Sequence, residues 1–312
     1  MRVLVRGAVG CWAGLAVLCG MAACGGSEEH RGNKPTAALA RKLAGIGDSI
    51  MQGVDASSGR GLGSEQLEFS FAQGTDAGVD SLYTRYLAVS GLPGGVELQS
   101  VSGAQMIQGG SRPNAAGQAD AICAQTQKPD RVIVLLGGND VCNSSSAASL
   151  PAAADFQAAL RSALDKLADP GCGLPAGTQV HVLSVPRLDL LPSAAVAKGA
   201  PFCVLAAATI CPVVAAGVTP SDLGQVAARI EAYNAAIAAE VAAQKALHAG
   251  GGVTFSSDWT GTAPNTSVGT LVFGAGDLSD VDCFHPSVQG QRKLACLAWE
   301  TWEGSGDPAR CF

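Results

Sequence analysis

Near the C-terminal end of the 312-residue sequence, Asp282 and His285 stand three positions apart in Asp282-Cys283-Phe284-His285-Pro286. A histidine can take a proton from a hydroxyl through one ring nitrogen when a carboxylate holds the other. A spacing of three lets one loop present both groups, and an imidazole with an ordinary pKa of about 6.5 is a competent base near neutrality. The matching hydroxyl is Ser49 in Ile46-Gly47-Asp48-Ser49-Ile50, directly after an apolar run. A third piece, Gly137-Gly138-Asn139-Asp140, follows Leu135-Leu136. An Asn amide at a strand end can be aimed at a developing oxyanion, and glycine before it lets a substrate approach the backbone. Asp140 reads as a local cap or orienter of that turn. Alone, each piece has an ordinary reading: a chance triplet, an Asn in a turn, a hydrogen-bonded histidine. Together they describe nucleophilic serine chemistry on an ester. There is no GxSxG elbow of the common α/β-hydrolase kind.

Such groups need a scaffold that brings distant segments to one edge. Short apolar runs bounded by Gly, Asn, Ser or Asp occur at Leu43–Ile46, Val96–Leu98, Val132–Leu136, Val180–Leu183 and Val253–Phe255, and read as five strands. Helical stretches lie between them, at Ser81–Val89, Ala115–Gln127, Ala152–Ala168 and the Ala-rich Ser221–His248. A last helix follows, with Pro286 in its first turn. Alternation of this kind predicts an α/β fold, a parallel sheet covered on both faces. In such sheets ligands bind beyond the carboxyl ends of the strands, where Ser49 and Asn139 are expected. The connections Asp55–Asp80 and Leu191–Thr219 are long enough to shape a substrate site. Trp259 and the loop around Phe202 are candidates for lining an acyl pocket.

Composition narrows the class. Apolar residues make up 47% and charged residues 15% of the chain, ample for one large domain core. The net charge of -6 has no Lys/Arg run that would neutralise a series of phosphates, so nucleic acid is not an expected partner. Arg2 and Arg6 followed by the apolar Ala8–Ala23 read as a signal peptide over residues 1–23. Met21-Ala22-Ala23-Cys24-Gly25 resembles a lipobox, in which Cys24 would carry lipid and anchor the protein to a membrane. Residues 24–40 would be a tether and 41–312 the folded domain. Either simple secretion or anchoring places the product outside the cytoplasm. Of 11 Cys, three (Cys11, Cys19, Cys24) lie in the leader or at its end. The remaining eight are Cys123, Cys142, Cys172, Cys203, Cys211, Cys283, Cys296 and Cys311. With no CxxC pair, they suit four disulfides in an oxidising compartment better than a metal site. Their connectivity is open, with Cys203–Cys211 and Cys123–Cys142 as the expected local pairings.

The Gly47-Asp48-Ser49-Ile50 run, Ser102-Gly103 after the second strand, Gly137-Gly138-Asn139-Asp140 and Asp282-Cys283-Phe284-His285-Pro286 occur in the order of the four blocks of the SGNH (GDSL) hydrolase family, which the chain resembles. That resemblance implies a three-layer α/β/α, flavodoxin-like sandwich with a five-stranded parallel sheet. It implies Ser49 as nucleophile, His285 as base and Asp282 as its carboxylate, chosen on family spacing over Asp280 and Asp189. An oxyanion hole would combine the backbone N–H groups of Ser49 and Gly103 with the Asn139 side chain. No metal or organic cofactor is needed by this chemistry. Asn139-Asp140-Val141-Cys142 and Asp282–Ser287 further resemble the phospholipase B-like and acyloxyacyl hydrolase branch, which implies an ester substrate that includes lipid. His30, His181 and His248 lie in no such block. The same triad would also serve an O-acyltransferase or a carbohydrate deacetylase of the cell envelope, and the same scaffold could bind without catalysis.

Overall fold

The computed structural model describes residues 39–107, 111–199, 203, 209–215, 218–304 and 306–312. The leader, Cys24, His30, the tether up to residue 38 and Phe202 lie outside these residues. In chain order the main elements are β1 (Leu43–Gly47), α1 (Leu82–Ser90), β2 (Val96–Leu98), α2 (Ala115–Ala124), β3 (Arg131–Leu135) and the short α3 (Gly138–Cys142). There follow α4 (Ala153–Ala168), β4 (Thr178–Val182), α5 (Leu191–Ala197), α6 (Pro220–Leu247), β5 (Val253–Ser257) and α7 (Val288–Trp302).

Every residue of β1, β3 and β4 is buried, as strands covered on both faces require. The strands pair in parallel in the order β2-β1-β3-β4-β5, with Leu43 opposite Val96 and Arg131, and Val180 opposite Phe255. A right-handed crossover from β1 out to β2 puts α1 on one face, whereas the return through β3, β4 and β5 puts α2, α4 and α6 on the other. Packing follows that division: α4 lies between α2 and α6, while α1 lies against α7. Tyr86 of α1 meets Trp299 and Trp302 of α7 edge-on, and Phe156 of α4 stacks on Tyr233 of α6. This is the expected three-layer sandwich. The order reverses between β1 and β3, so the crevice beyond their carboxyl ends is the natural ligand site.

Helix starts follow local capping chemistry. Ser81, Asn114, Thr219 and Ser287 each accept the backbone N–H three residues on, and Pro220 occupies the first turn of α6. Pro286 departs from expectation: it pairs with Leu278 in an antiparallel bridge, and Ser287 caps α7 instead. α3 and α5 were expected as turn and loop.

The eight body cysteines form four disulfides, Cys123–Cys172, Cys142–Cys211, Cys203–Cys283 and Cys296–Cys311. Both short-range pairings expected from spacing are therefore wrong. Cys123 ends α2 before β3 begins, whereas Cys142 follows β3 in α3, so the strand separates them to opposite edges of the sheet. Cys172, in the turn between α4 and β4, shares the edge of Cys123. Among the described residues no helix is long and apolar enough to cross a membrane, and these residues belong to one compact unit, Pro35–Phe312.

Candidate active site

Ser49 stands in the tight turns that follow β1. Gly47, the last β1 residue, is held from both sides: its N–H donates to Gln118 Oε1 at 2.8 Å, and Gln118 Nε2 donates to its carbonyl at 2.9 Å. The Asp48 carboxylate then accepts the Ile50 N–H at 2.9 Å, and Val54 N–H returns to the Ser49 carbonyl. From α7, Gln291 accepts the Phe71 N–H and donates to the Ile50 carbonyl, both at 2.9 Å. These buried side-chain amides add to the turn's own hydrogen bonds and leave its buried polar groups paired. Gln118 and Gln291 lie on helices remote in sequence; no motif marked Gln118, and Gln291 lies in the Gln289–Trp299 stretch that weakly resembles the phospholipase B-like branch.

The histidine arrives on a loop between β5 and α7. Ser279 N–H donates to the His285 carbonyl at 2.8 Å, and the Leu278–Pro286 bridge closes the loop. Within it Asp282 Oδ1 accepts the N–H groups of Phe284 (2.9 Å) and His285 (3.0 Å), which orients the carboxylate. Its Oδ2 lies 2.5 Å from His285 Nδ1, and His285 Nε2 lies 2.8 Å from Ser49 Oγ. The structure thus brings Ser49, His285 and Asp282 together across 236 residues of sequence. Asp282 is fully buried, while Ser49 and His285 keep 9% and 8% exposure, enough to meet a ligand from one side.

Burial alone would lower the His285 pKa, but the hydrogen bond and charge of Asp282, with Asp48 and Asp55 behind, hold it above the ordinary histidine value. Burial would raise Asp282, yet His285 and the Phe284 and His285 amides hold it below the usual carboxylate range. Asp48 is pushed to about 6 by burial, against the Ile50 amide and His285. The rival acids are placed elsewhere. Asp280 is 77% exposed and pairs with Lys198 at 2.6 Å, and Asp189 pairs with Arg187. His181 is buried in β4, bonded to Ser256 and Thr301, with burial pushing its pKa down to about 3. His248 caps the end of α6.

Two backbone donors stay open: among the described residues neither the Ser49 nor the Gly103 N–H meets an acceptor. Gly103 holds φ +77°, and a Cβ there would run into the Arg112 guanidinium. The Asn139 amide is engaged. Nδ2 donates to Asp48 Oδ2 at 3.2 Å and to the Ala104 carbonyl at 3.0 Å, while its backbone carbonyl accepts Gln105 Nε2 at 3.1 Å. Asp140 reaches beyond its own turn, accepting the N–H groups of Met106 (2.7 Å) and Ile107 (3.0 Å). The Gly103 loop is therefore stitched to α3 from both sides.

Asp55, Asp282 and His285 are the one group of described residues whose donor atoms converge as metal ligands would, within 4.8 Å of one another. The same imidazole already spends both nitrogens on Asp282 and Ser49, so the set does not suit a cation. Trp259 follows edge strand β5, two strands from β3, and is half-buried. The segment expected to shape the site after α5 is bridged at Cys203 to Cys283 of the histidine loop and at Cys211 to Cys142 of α3.

No curated protein matches the chain. Among solved structures, a family two carbohydrate esterase from Clostridium thermocellum in complex with cellohexaose is 15% identical, covering 82% of this chain and 61% of its own, with a TM-score of 0.43. The chain thus spans about three-fifths of that protein's length. A protein assigned as a GDSL-like lipase from Parabacteroides merdae is 15% identical over 88% of this chain and 100% of its own, with a TM-score of 0.44. An acetyl xylan esterase is 14% identical over 83% and 98%, with a TM-score of 0.41. The profile of the GDSL-like lipase/acylhydrolase family matches residues 46–293, from β1 into α7, and takes in Ser49, Asn139, Asp282 and His285. With that match over most of its length, the chain belongs to the GDSL-like lipase/acylhydrolase family.

Proposed function

We propose that the protein is an extracytoplasmic serine esterase that hydrolyses carboxylic esters through an acyl-enzyme. The 2.8 Å contact between His285 Nε2 and Ser49 Oγ, with Asp282 on Nδ1, is the observation that carries this reading. Ser49 Oγ attacks the ester carbonyl carbon while His285 takes its proton. The oxyanion would be met by the open N–H groups of Ser49 and Gly103, with Asn139 Nδ2 as a third donor shared with Asp48. Collapse expels the alcohol, which receives the proton from His285. Water, deprotonated by His285, then attacks the acyl-serine and releases the acid. Residues 1–23 would be removed as a signal peptide, Cys24 would carry lipid, residues 24–40 would tether, and 41–312 would form the hydrolase domain. Four disulfides support an oxidising location. Likeness of Asn139–Cys142 and Asp282–Ser287 to the phospholipase B-like branch supports lipid among the substrates.

The test is hydrolysis of p-nitrophenyl esters of graded chain length by the purified protein beside Ser49→Ala. Activity that requires Ser49 is expected. An optimum at acetate would favour a deacetylase over a lipid-directed enzyme, and equal turnover by the variant would remove Ser49 from the mechanism.

A further inference from the structure

Behind the Asp282 carboxylate lies a second one. Asp55 is 1% exposed, and its carboxyl converges with the ligand atoms of Asp282 and His285 to within 4.8 Å. The chain goes to some trouble to hold it there. Asp55 adopts φ +54°, a left-handed conformation that costs a non-glycine residue about 1 kcal/mol or more. Its carbonyl accepts Ser279 Oγ, from the base of the histidine loop, at 2.5 Å. Its N–H donates to the Ser64 carbonyl, and its carboxylate accepts the Gly63 N–H at 2.9 Å and the Ser64 N–H at 3.1 Å. Asp55 thus joins the nucleophile's own loop, the 56–64 connection and the histidine loop at one buried point.

A carboxylate is a costly way to satisfy two amides in a buried position beside another carboxylate, where a neutral oxygen would serve. Its distinctive property is charge. The groups facing it are Asp282 and His285 on the histidine loop, with Asp48 acting on the same imidazole from the nucleophile turn. Asp280, on the same loop, is exposed and neutralised by Lys198.

We propose that Asp55 is a positioning residue of the Ser49, His285 and Asp282 array: its carboxyl, buried behind Asp282, strengthens His285 as a base and fixes the 56–64 connection to the histidine loop. The inference rests on the esterase reading. Burial and the charge of Asp282 raise the Asp55 pKa despite the opposing Gly63 amide, and Asp55 in turn helps raise that of His285. An ionised Asp55 favours the imidazolium formed as Ser49 loses its proton. No atom of Asp55 touches the substrate, so its effect reaches the reaction only through His285.

The experiment is an NMR titration of the His285 ring, assigned with His285→Gln, in the wild-type protein, Asp55→Asn and Asp55→Ser, alongside the pH dependence of kcat/KM on a p-nitrophenyl ester. The Gly63 and Ser64 amides use different oxygens of Asp55, so Asp55→Asn keeps an acceptor for only one of them and Asp55→Ser shortens the reach; in protein that still folds, a merely structural role leaves the ring titration unmoved. The His285 midpoint is expected to fall by roughly one pH unit in each, with the acid limb of kcat/KM moving the same way. An unchanged midpoint in a folded variant overturns the proposal. Absence of any Ser49-dependent hydrolysis defeats the esterase reading instead, and the ring titration still decides the part played by Asp55.

Discussion

The Asn139 side chain donates to the carboxylate of Asp48 across 3.2 Å, linking the turn after β1 to the first turn of α3. Asp48 precedes Ser49, so this bond fixes the Asn139 amide relative to Ser49; on the proposed mechanism that amide is an oxyanion donor. Asn139→Ala is expected to lower kcat by about 10²- to 10³-fold, or roughly 2.7 to 4 kcal/mol, with little change in KM. Asp48→Ala should lower kcat by about tenfold by releasing the amide. Residues that act through one bond are not additive. The double variant should therefore be no slower than Asn139→Ala, and fully multiplicative losses would separate the two residues.

The raised pKa of His285 and the lowered pKa of Asp282 predict both rate and stability against pH. Hydrolysis should fall as pH drops through a midpoint above 6.5, the ordinary histidine value, because only neutral imidazole accepts the Ser49 proton. For stability, the His285 contribution is fully present below its unfolded pKa and is lost as pH rises through the folded value. The Asp282 contribution is present above its unfolded pKa and is lost as pH falls through the folded one. The pair therefore stabilises most between the ordinary Asp and His values, about 3.9 and 6.5. Urea unfolding of wild type and His285→Gln from acid to alkaline pH should show a difference that is largest in that window and shrinks above it.

Strand runs and helical stretches were legible because they are local. The buried runs of β1, β3 and β4 and the stretches that become α1, α2, α4 and α6 state their structure within a few residues. Ser49, Asp282 and His285 were legible because their spacing and flanking residues are characteristic, and the fold brings those three together. What stayed hidden depends on pairing across the fold. Gln118, Gln291 and Asp55 are ordinary polar residues until the sheet order places them beside Gly47, Ile50 and Asp282. Cysteine pairing failed for the same reason, since proximity in sequence ignored the strand between Cys123 and Cys142. α3 was missed because Gly137 and Gly138 signal a turn, and only the Asp140 bonds to the Gly103 loop reveal the short helix as a platform.

Two of the four disulfides contrast, one beside the histidine loop and one at the C-terminal end. Cys283 lies between Asp282 and His285 with φ +56°, and its bridge to Cys203 spans 80 residues. Cys296–Cys311 closes only 15 residues and ties the C-terminal end to α7. Replacing Cys296 and Cys311 by Ser should cost about 3 kcal/mol of stability and leave kcat near wild type. Replacing Cys203 and Cys283 by Ser should lower kcat by at least tenfold in protein that remains folded, because the histidine loop loses its anchor. Calorimetry beside ester hydrolysis separates the two effects, and equal kcat in both variants would deny Cys283 any part in placing His285.

Gly137 offers the most demanding test of how the scaffold places Asn139. It ends the run from β3 with φ +124°, a conformation closed to other residues. A Cβ there would come within 2.5 Å of Val185 Cγ2 and 3.1 Å of the Phe156 ring. Val185 follows β4, and Phe156 stacks on Tyr233, so neither neighbour can withdraw without opening the α4–α6 layer. Gly137→Ala therefore combines backbone strain with overpacking, and an unfolding cost of about 3 kcal/mol or more is expected. The only relief open to the chain is rotation of the 137–139 backbone, which swings Asn139 away from Asp48 and Ser49. The variant should thus lose kcat even at temperatures where it is fully folded. Gly138→Ala, whose Cβ would meet only Asp48 Oδ2 at 3.8 Å, should be nearly neutral for stability. Denaturant melts with kinetics at matched folded fraction would measure both, and a fully active, stable Gly137→Ala would show that this glycine does not set the oxyanion donor.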